Sequence, residues 1–246
     1  MEFAAPPGYD KVVPFDKDVH GALSVRSDIA FEFASNLNAI YLTTTEILQA
    51  AHDYPVVFAT DADQKEFLPI TVTGFESGKN LFVDESGQWK ADTYIPAYVR
   101  RYPFCVAEVR RSESGPLESL ICVDESALEE SGKRFFDAAG EPTEEWTRIE
   151  QFIKDYEVAR KTTSIVCRAI QENKLLEVFE AQAFHNEGQQ YNLKNMHRVN
   201  EKKLAKLTAR VLKEFIEKQY MYVIYAHLMS LENFQRLLGL SRQGSK

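Results

Sequence analysis

The chain has 246 residues, of which 44% are hydrophobic and 27% charged, and a formal net charge of -8. That balance excludes a disordered or fibrous chain, and the length suffices for one large domain or two small ones. The acidic excess argues against non-specific attraction of the whole molecule to nucleic acid or an anionic membrane, though not against a local basic face.

The first 20 residues read as an extended leader, because Pro6, Pro7 and Pro14 remove backbone donors and push their predecessors out of helical geometry. Val12, Val13 and Phe15 can still pack. No basic region followed by an apolar stretch is visible there, so no secretory signal is expected. The longest apolar runs, such as residues 221–226, are too short to cross a bilayer as a helix. A cytoplasmic protein without membrane insertion is therefore expected. Residues 39–51 predict a short helix with Thr43, Thr44 and Thr45 as its cap, Glu46 in the first turn, and Ile47, Leu48 and Ala51 as an apolar edge.

Residues 54–124 read as the sheet of the protein, since β-branched and aromatic runs recur between turn signals. The expected strands cover 56–59, 68–75, 81–83, 104–110 and 119–123. Turns are marked by residues 61–63, 78–80, 84–87 and 112–116, and such short connections imply mostly antiparallel pairing. The period changes at Thr143, where Glu144 and Glu145 begin a helix. Trp146, Ile149, Ile153, Tyr156, Thr163, Val166 and Ile170 follow at near-helical spacing, to an end near Asn173. Residues 178–185 and 190–193 flank Asn186, Glu187 and Gly188 as a hairpin. A second helix is predicted over 200–218, capped by Asn200, with Leu204, Leu207, Val211, Leu212, Phe215 and Ile216 as its buried stripe. Residues 220–225 suit strand or helix. Ser230 is then expected to cap a last short helix that buries Leu231, Phe234, Leu237 and Leu238 and stops before Gly239.

The expected fold class is α+β: a mostly antiparallel sheet in the amino-terminal half, packed with helices and a β-hairpin from the carboxyl-terminal half. A boundary near residue 140 would divide a β-rich part, 1–140, from a mixed helical part, 141–246. No Gly/Ser linker separates the two, which is compatible with one shared core.

The densest chemistry lies in residues 80–104, where Trp89, Tyr94, Tyr98, Arg100, Arg101 and Tyr102 are interleaved with Pro96 and Pro103. Such material builds aromatic-lined recognition pockets, with arginine clamping an anion and tyrosine hydroxyls orienting it. The plainer reading is a proline-shaped loop whose tyrosines finish the core and whose arginines meet nearby acids. An echo, Val83-Asp84-Glu85-Ser86 and Val123-Asp124-Glu125-Ser126, could supply oxygen ligands to a hard cation. Without the ligand spacing of a calcium loop, acids at strand ends more simply start turns, and Asp137 to Gly140 is a third of that form.

Neither Gly-x-Ser-x-Gly nor a Gly-rich phosphate loop is present, and no cofactor or metal is expected. Cys105, Cys122 and Cys167 are odd in number and lack zinc or disulfide spacing. They read as small buried hydrophobes in a reducing compartment. His20, His52, His185, His197 and His227 include no pair at metal-ligand spacing, and His227, within an apolar run, reads as a hydrogen-bonded core residue. Residues 194–246 hold eleven Lys or Arg against four Glu, a charge of +7 that leaves -15 for the first 193. The bases of the second predicted helix, Lys202 to Lys218, read as a solvated face or a dock for acidic surface, in preference to a nucleic-acid contact.

Together these residues are familiar. Lys11 to Phe15 with His20, Tyr54 to Phe58, Asn80 to Asp84 with Trp89, and the long string from Tyr94 to Phe104 resemble the bacterial SapC family. Cys122 to Glu125, Phe136 and Asp137 with Gly140, Val199 to Glu201 with Leu204, Ile224 to Leu228, and Ser230 with Leu231 extend the resemblance over nearly the whole chain. Phe15, Phe136 and Met229 stand where leucine is usual. The resemblance implies association with a bacterial surface layer or envelope, and no established enzyme activity. Two readings follow. One is a non-catalytic accessory protein that holds a peptide or protein partner through Asp84, Trp89, Tyr94, Tyr98, Arg100, Arg101 and Tyr102. The other is an enzyme acting on a peptide or carbohydrate, with Asp84, Asp124, Tyr98 and Arg100 converging in one cleft. Neither oligomeric state nor partner identity is legible.

Overall fold

The computed structural model describes residues 5–28, 31–60, 66–110, 117–184 and 190–243. The expected turns at 61–63, 112–116 and 186–188, and His185, lie outside them. Ten strands and eight helices are described: β1 (Val12–Pro14), α1 (Lys17–His20), β2 (Ser24–Val25), β3 (Ala39–Tyr41), α2 (Ile47–Ala50), β4 (Val56–Thr60), β5 (Phe67–Val72), α3 (Ala97–Arg100), β6 (Phe104–Arg110), β7 (Leu117–Asp124), β8 (Leu128–Glu129), α4 (Glu144–Glu172), β9 (Leu176–Phe184), β10 (Gln190–Val199), α5 (Glu201–Leu204), α6 (Ala209–Glu217), α7 (Tyr220–Ser230) and α8 (Asn233–Gln243).

The fold is α+β with open antiparallel sheets. Residues 54–124 do not form one sheet as expected. β4 and β5 belong to a five-stranded sheet of order β3-β5-β4-β10-β9, whereas β6 and β7 join β1 in a second sheet of order β1-β7-β6. The division follows from residues 73–96, which leave the first sheet without pairing back onto it. Gly74 turns the chain there so tightly that a Cβ would stand 1.9 Å from the Lys79 carbonyl oxygen. The expected strand at 81–83 is reduced to a single bridge between Val83 and Trp89.

Tertiary pairing also corrects both ends. The leader is not merely extended, since Val12, Val13 and Pro14 pair with Asp124, Val123 and Cys122 of β7. Residues 39–41 are strand and not the start of a helix, because β5 offers them an edge and Ile40 becomes buried. The predicted helix over 200–218 breaks into α5 and α6. Thr208 adopts an extended backbone (ψ 152°) and its hydroxyl accepts from Val211 N–H, restarting the helix. Of its expected stripe, Leu204 and Phe215 are buried but Ile216 is 59% exposed. Gln219, with φ 62°, separates α6 from α7, which settles residues 220–225 as helix. Ser230 ends α7 without capping α8, and Gly239 lies inside α8.

α4 matches its expected extent, with Thr143 accepting from Trp146 N–H as its cap. It links the two packing centres. Trp146 and Ile153 join Phe104, Val123 and Phe135 beneath the three-stranded sheet, while Val166, Cys167 and Ile170 enter the larger cluster where α4 packs on β5. That larger cluster holds residues from Tyr9 to Leu237. On the other side α7 packs against β4 and β10. Met196 and His197 pair with Ala59 and Phe58, and two residues on, where Val199 stands opposite Val56, the imidazole of His227 occupies the ladder. Val199 N–H donates to His227 Nε2 at 3.0 Å and Nδ1 lies 2.7 Å from the Val56 carbonyl. Ser230 Oγ accepts from Val56 N–H at 2.9 Å.

Candidate functional site

The segment from Tyr94 to Phe104, residues 43–49 and α4 enclose a groove. Pro96 has an extended ψ of 145° and starts α3, a helix short enough for Arg100 and Arg101 to follow one another out of its last turn. Arg100 is exposed. Its Nε donates to the Ile95 carbonyl and its Nη2 to the Tyr94 hydroxyl, both at 3.0 Å, and it lies over the Phe152 ring of α4. Two adjoining hollows share Arg100 and Phe152. One, of about 240 Å³, includes Glu46, Gln49, Tyr94 and Asp155. The other, of about 470 Å³, includes Arg101, Tyr102, Phe104, Arg148 and Ile149.

Glu46 is the anchor of the smaller hollow and was not among the expected site residues. Its side chain is buried. Oε1 accepts from Thr43 N–H (2.8 Å) and the Thr43 hydroxyl (2.9 Å), while Oε2 accepts from the Tyr94 hydroxyl (2.9 Å) and Ala97 N–H (2.6 Å). The carboxylate thus ties the approach to α2 to the start of α3 and, through Tyr94, steadies Arg100. The sequence carried one signal for it: Thr43 and Glu46 have the spacing of a capping box.

Arg101 is among the residues that line the larger hollow. Its guanidinium carbon lies over three tyrosine rings, 4.6 Å from the Tyr156 centroid, 4.7 Å from Tyr98 and 5.9 Å from Tyr9. Its Nε is buried with no hydrogen-bond partner, and no carboxylate among the described residues pairs with it. Burial pushes the Tyr98 phenol up to about 12 and raises those of Tyr9 and Tyr156 as well, so the rings stay neutral beside the cation. Cation–π contact offsets part of the desolvation cost, by about 0.5–2 kcal/mol per good contact. Among the described residues no carboxylate compensates the charge itself.

The expected site residues separate accordingly. Arg100, Arg101 and Tyr102 line the larger hollow and Tyr94 the smaller. Tyr98 is buried, with its hydroxyl donating to the Pro7 carbonyl. Trp89 is a core residue whose indole N–H donates to the Tyr54 hydroxyl at 3.1 Å, so it is not presented to a ligand. The contributions of Phe152, Ile149, Arg148 and Glu145 on α4 were not foreseen. They recur at spacings of three and four beside the buried stripe, a pattern visible in the sequence but indistinguishable there from an ordinary helix surface.

Asp84 and Asp124 do not converge with Tyr98 and Arg100 in a cleft, as the enzymatic reading required. Exposed Asp84 folds back on its own turn, where Oδ1 accepts from Ser86 N–H, the Ser86 hydroxyl and Gln88 N–H. Asp124 is fully buried at the end of β7 and accepts from Asp10 N–H, Lys11 N–H, Ser126 N–H, the Ser126 hydroxyl and, at 3.3 Å, the Tyr102 hydroxyl. Asp137 makes a comparable turn with Ala139 and Glu141 N–H. The repeated Val-Asp-Glu-Ser string is therefore a repeated turn. Among the described residues no group of three His, Cys, Asp or Glu is arranged to hold a metal ion.

Burial pushes the Asp124 carboxyl up, but the N–H groups of Asp10 and Lys11 and the Ser126 hydroxyl outweigh it and hold the group below its ordinary value. Its contribution to stability is present above the unfolded carboxyl range and is lost as pH falls through the lower folded value. Asp124→Asn, which turns an amide nitrogen toward N–H donors, is expected to cost about 2 kcal/mol. Urea unfolding at neutral pH measures it, and a cost below about 0.5 kcal/mol would contradict this account.

Cys105 and Cys122 are direct cross-strand partners, and all three cysteines are free and buried. Burial pushes the Cys167 thiol up to about 12, so it stays protonated rather than nucleophilic. On the basic carboxyl-terminal part, Lys213 and Lys218 pair with Glu217 and Glu214 of their own helix, and Arg236 reaches Asp53 at 2.9 Å. Among the described residues no helix is long and apolar enough to cross a membrane.

No curated protein and no solved structure matches the chain significantly. A family model described as SapC matches residues 15–237, taking in the five-stranded sheet, β6 and β7, α3 and the groove face of α4, and the chain belongs to the SapC family.

Proposed function

We propose that the chain is a non-catalytic binding or accessory protein that holds a peptide or protein partner in the groove between α3 and α4. The observation that carries this is Arg101: a cation fixed on three tyrosine rings, without an acidic partner among the described residues, on a residue that lines an open hollow of about 470 Å³. A structural arginine would be expected to answer to an acid of its own chain. The hollow also has the size and mixed apolar and polar lining of a ligand site. The SapC relationship supports the further proposal of an association with a bacterial surface layer or envelope, and a cytoplasmic setting suits three buried, unpaired cysteines.

Peptide-display selection on the immobilised chain tests this reading. Enriched peptides should be lost by Phe152→Glu, since Phe152 lines both hollows, and retained by Ile165→Glu, which alters an exposed position of the same helix. Equal retention by the two variants, or no enrichment at all, would count against it.

A further inference from the structure

Building on the groove as the binding surface, we infer that its ligand is read through a carboxylate lodged beside Arg101, next to an apolar side chain. Four observations lead there. The guanidinium is positioned before any ligand arrives by the rings of Tyr98 and Tyr156, so little side-chain freedom is lost on binding. Three arginines, Arg100, Arg101 and Arg148, line the hollow against one acidic residue, Glu145, and Arg148 already engages that one at 2.5 Å. Among the described residues no acid pairs with Arg101. The remaining wall is apolar, with Pro103, Ile149, Phe152 and Ile153 beside the cations.

A guanidinium and a carboxylate match as planar forks, the geometry that favours arginine over lysine at such sites. The apolar wall selects further. A singly charged carboxylate gives up its hydration at lower cost than a phosphate dianion, and an adjoining apolar side chain gains by covering Ile149 and Phe152. A peptide's terminal carboxylate and the side chain of an aspartate or glutamate within an apolar sequence supply the same chemistry, and the experiment separates them.

Four pools of labelled random hexapeptides ending in leucine are captured on the full chain: free acid, amide, amide with glutamate before the leucine, and amide with phosphoserine there. The free-acid or the glutamate pool should be retained at least tenfold better than the plain amide, and whichever wins identifies the source of the carboxylate. Retention should fall at least fivefold in Arg148→Ala, an exposed position whose loss leaves the fold intact, and further in Arg101→Lys. It should also fall steeply as salt is raised. Equal retention of acid and amide pools, with Phe152→Glu still abolishing both, overturns the carboxylate while leaving the groove as the binding surface. Retention that survives Phe152→Glu, or no retention of any pool, overturns the groove reading as well. Preference for the phosphoserine pool overturns the choice of carboxylate over phosphate.

Discussion

Glu46→Ala is expected to destabilise the chain by about 4 kcal/mol, measured by urea unfolding at neutral pH. The substitution removes an acceptor that serves four donors and leaves the buried N–H groups of Thr43 and Ala97 without partners. It also releases the Tyr94 hydroxyl, which accepts from Arg100, so the loss extends to the groove. Glu46→Gln keeps the shape but turns an amide nitrogen toward one pair of donors, and should recover about half of the loss. A cost below about 1 kcal/mol for the alanine variant would show that water or a neighbouring side chain replaces the carboxylate. The two variants together separate folding from binding, because Glu46→Gln should fold while holding Arg100 less firmly.

His227→Ala is expected to cost about 3 kcal/mol at neutral pH, because Val199 N–H and the Val56 carbonyl both lose the imidazole between them. With Nε2 accepting from Val199, the ring carries its proton on Nδ1 and donates it to Val56. A second proton would remove the acceptor that Val199 N–H uses. Burial, the main cause, pushes the His227 pKa down from 6.5 to about 4. Above the unfolded value the ring is neutral in both states and acidity is without effect. Between pH 6.5 and 4 the unfolded chain takes up a proton that the folded chain refuses, so stability falls as pH falls. Below about pH 4 the effect of this group levels off. The full loss from this one ring is about 3 kcal/mol. Unfolding curves of wild type and variant at pH 7, 5.5 and 4 check the account: the gap between the two proteins should narrow through that window. A gap that stays constant would mean that the ring titrates normally and that the ladder position is open to water.

These two residues show how differently the chain discloses its parts. His227 was legible as a hydrogen-bonded core histidine, because an isolated polar ring inside an apolar run is costly unless paired. That it replaces a rung of the sheet was not legible, since β4 and α7 are separated by some 170 positions and only tertiary packing brings them together. Glu46 was legible as part of a helix start and not as the tie to Ala97, for the same reason. The aromatic string from Tyr94 to Tyr102 was recognisable as recognition material. Whether each ring faces core or groove depended on which neighbours arrived: Trp89 met Tyr54, Tyr98 met Pro7 and Arg101, and Tyr94 met Glu46 and Arg100.

Local periodicity alone determined the extent of α4, strands β4, β6 and β7 to within a few residues, the antiparallel α+β class and the turn role of the Val-Asp-Glu-Ser repeat. Each of these follows from contacts a few positions apart or from the alternation of apolar residues. The distribution of strands among three sheets, the entry of the leader into one of them and the arginine-lined groove belong to the tertiary structure. They depend on which distant backbone edges and side chains become neighbours, and no local pattern records that choice. The -8 net charge is the plainest case: it gave no sign that an arginine without an acidic partner among the described residues sits among tyrosines beside an open groove.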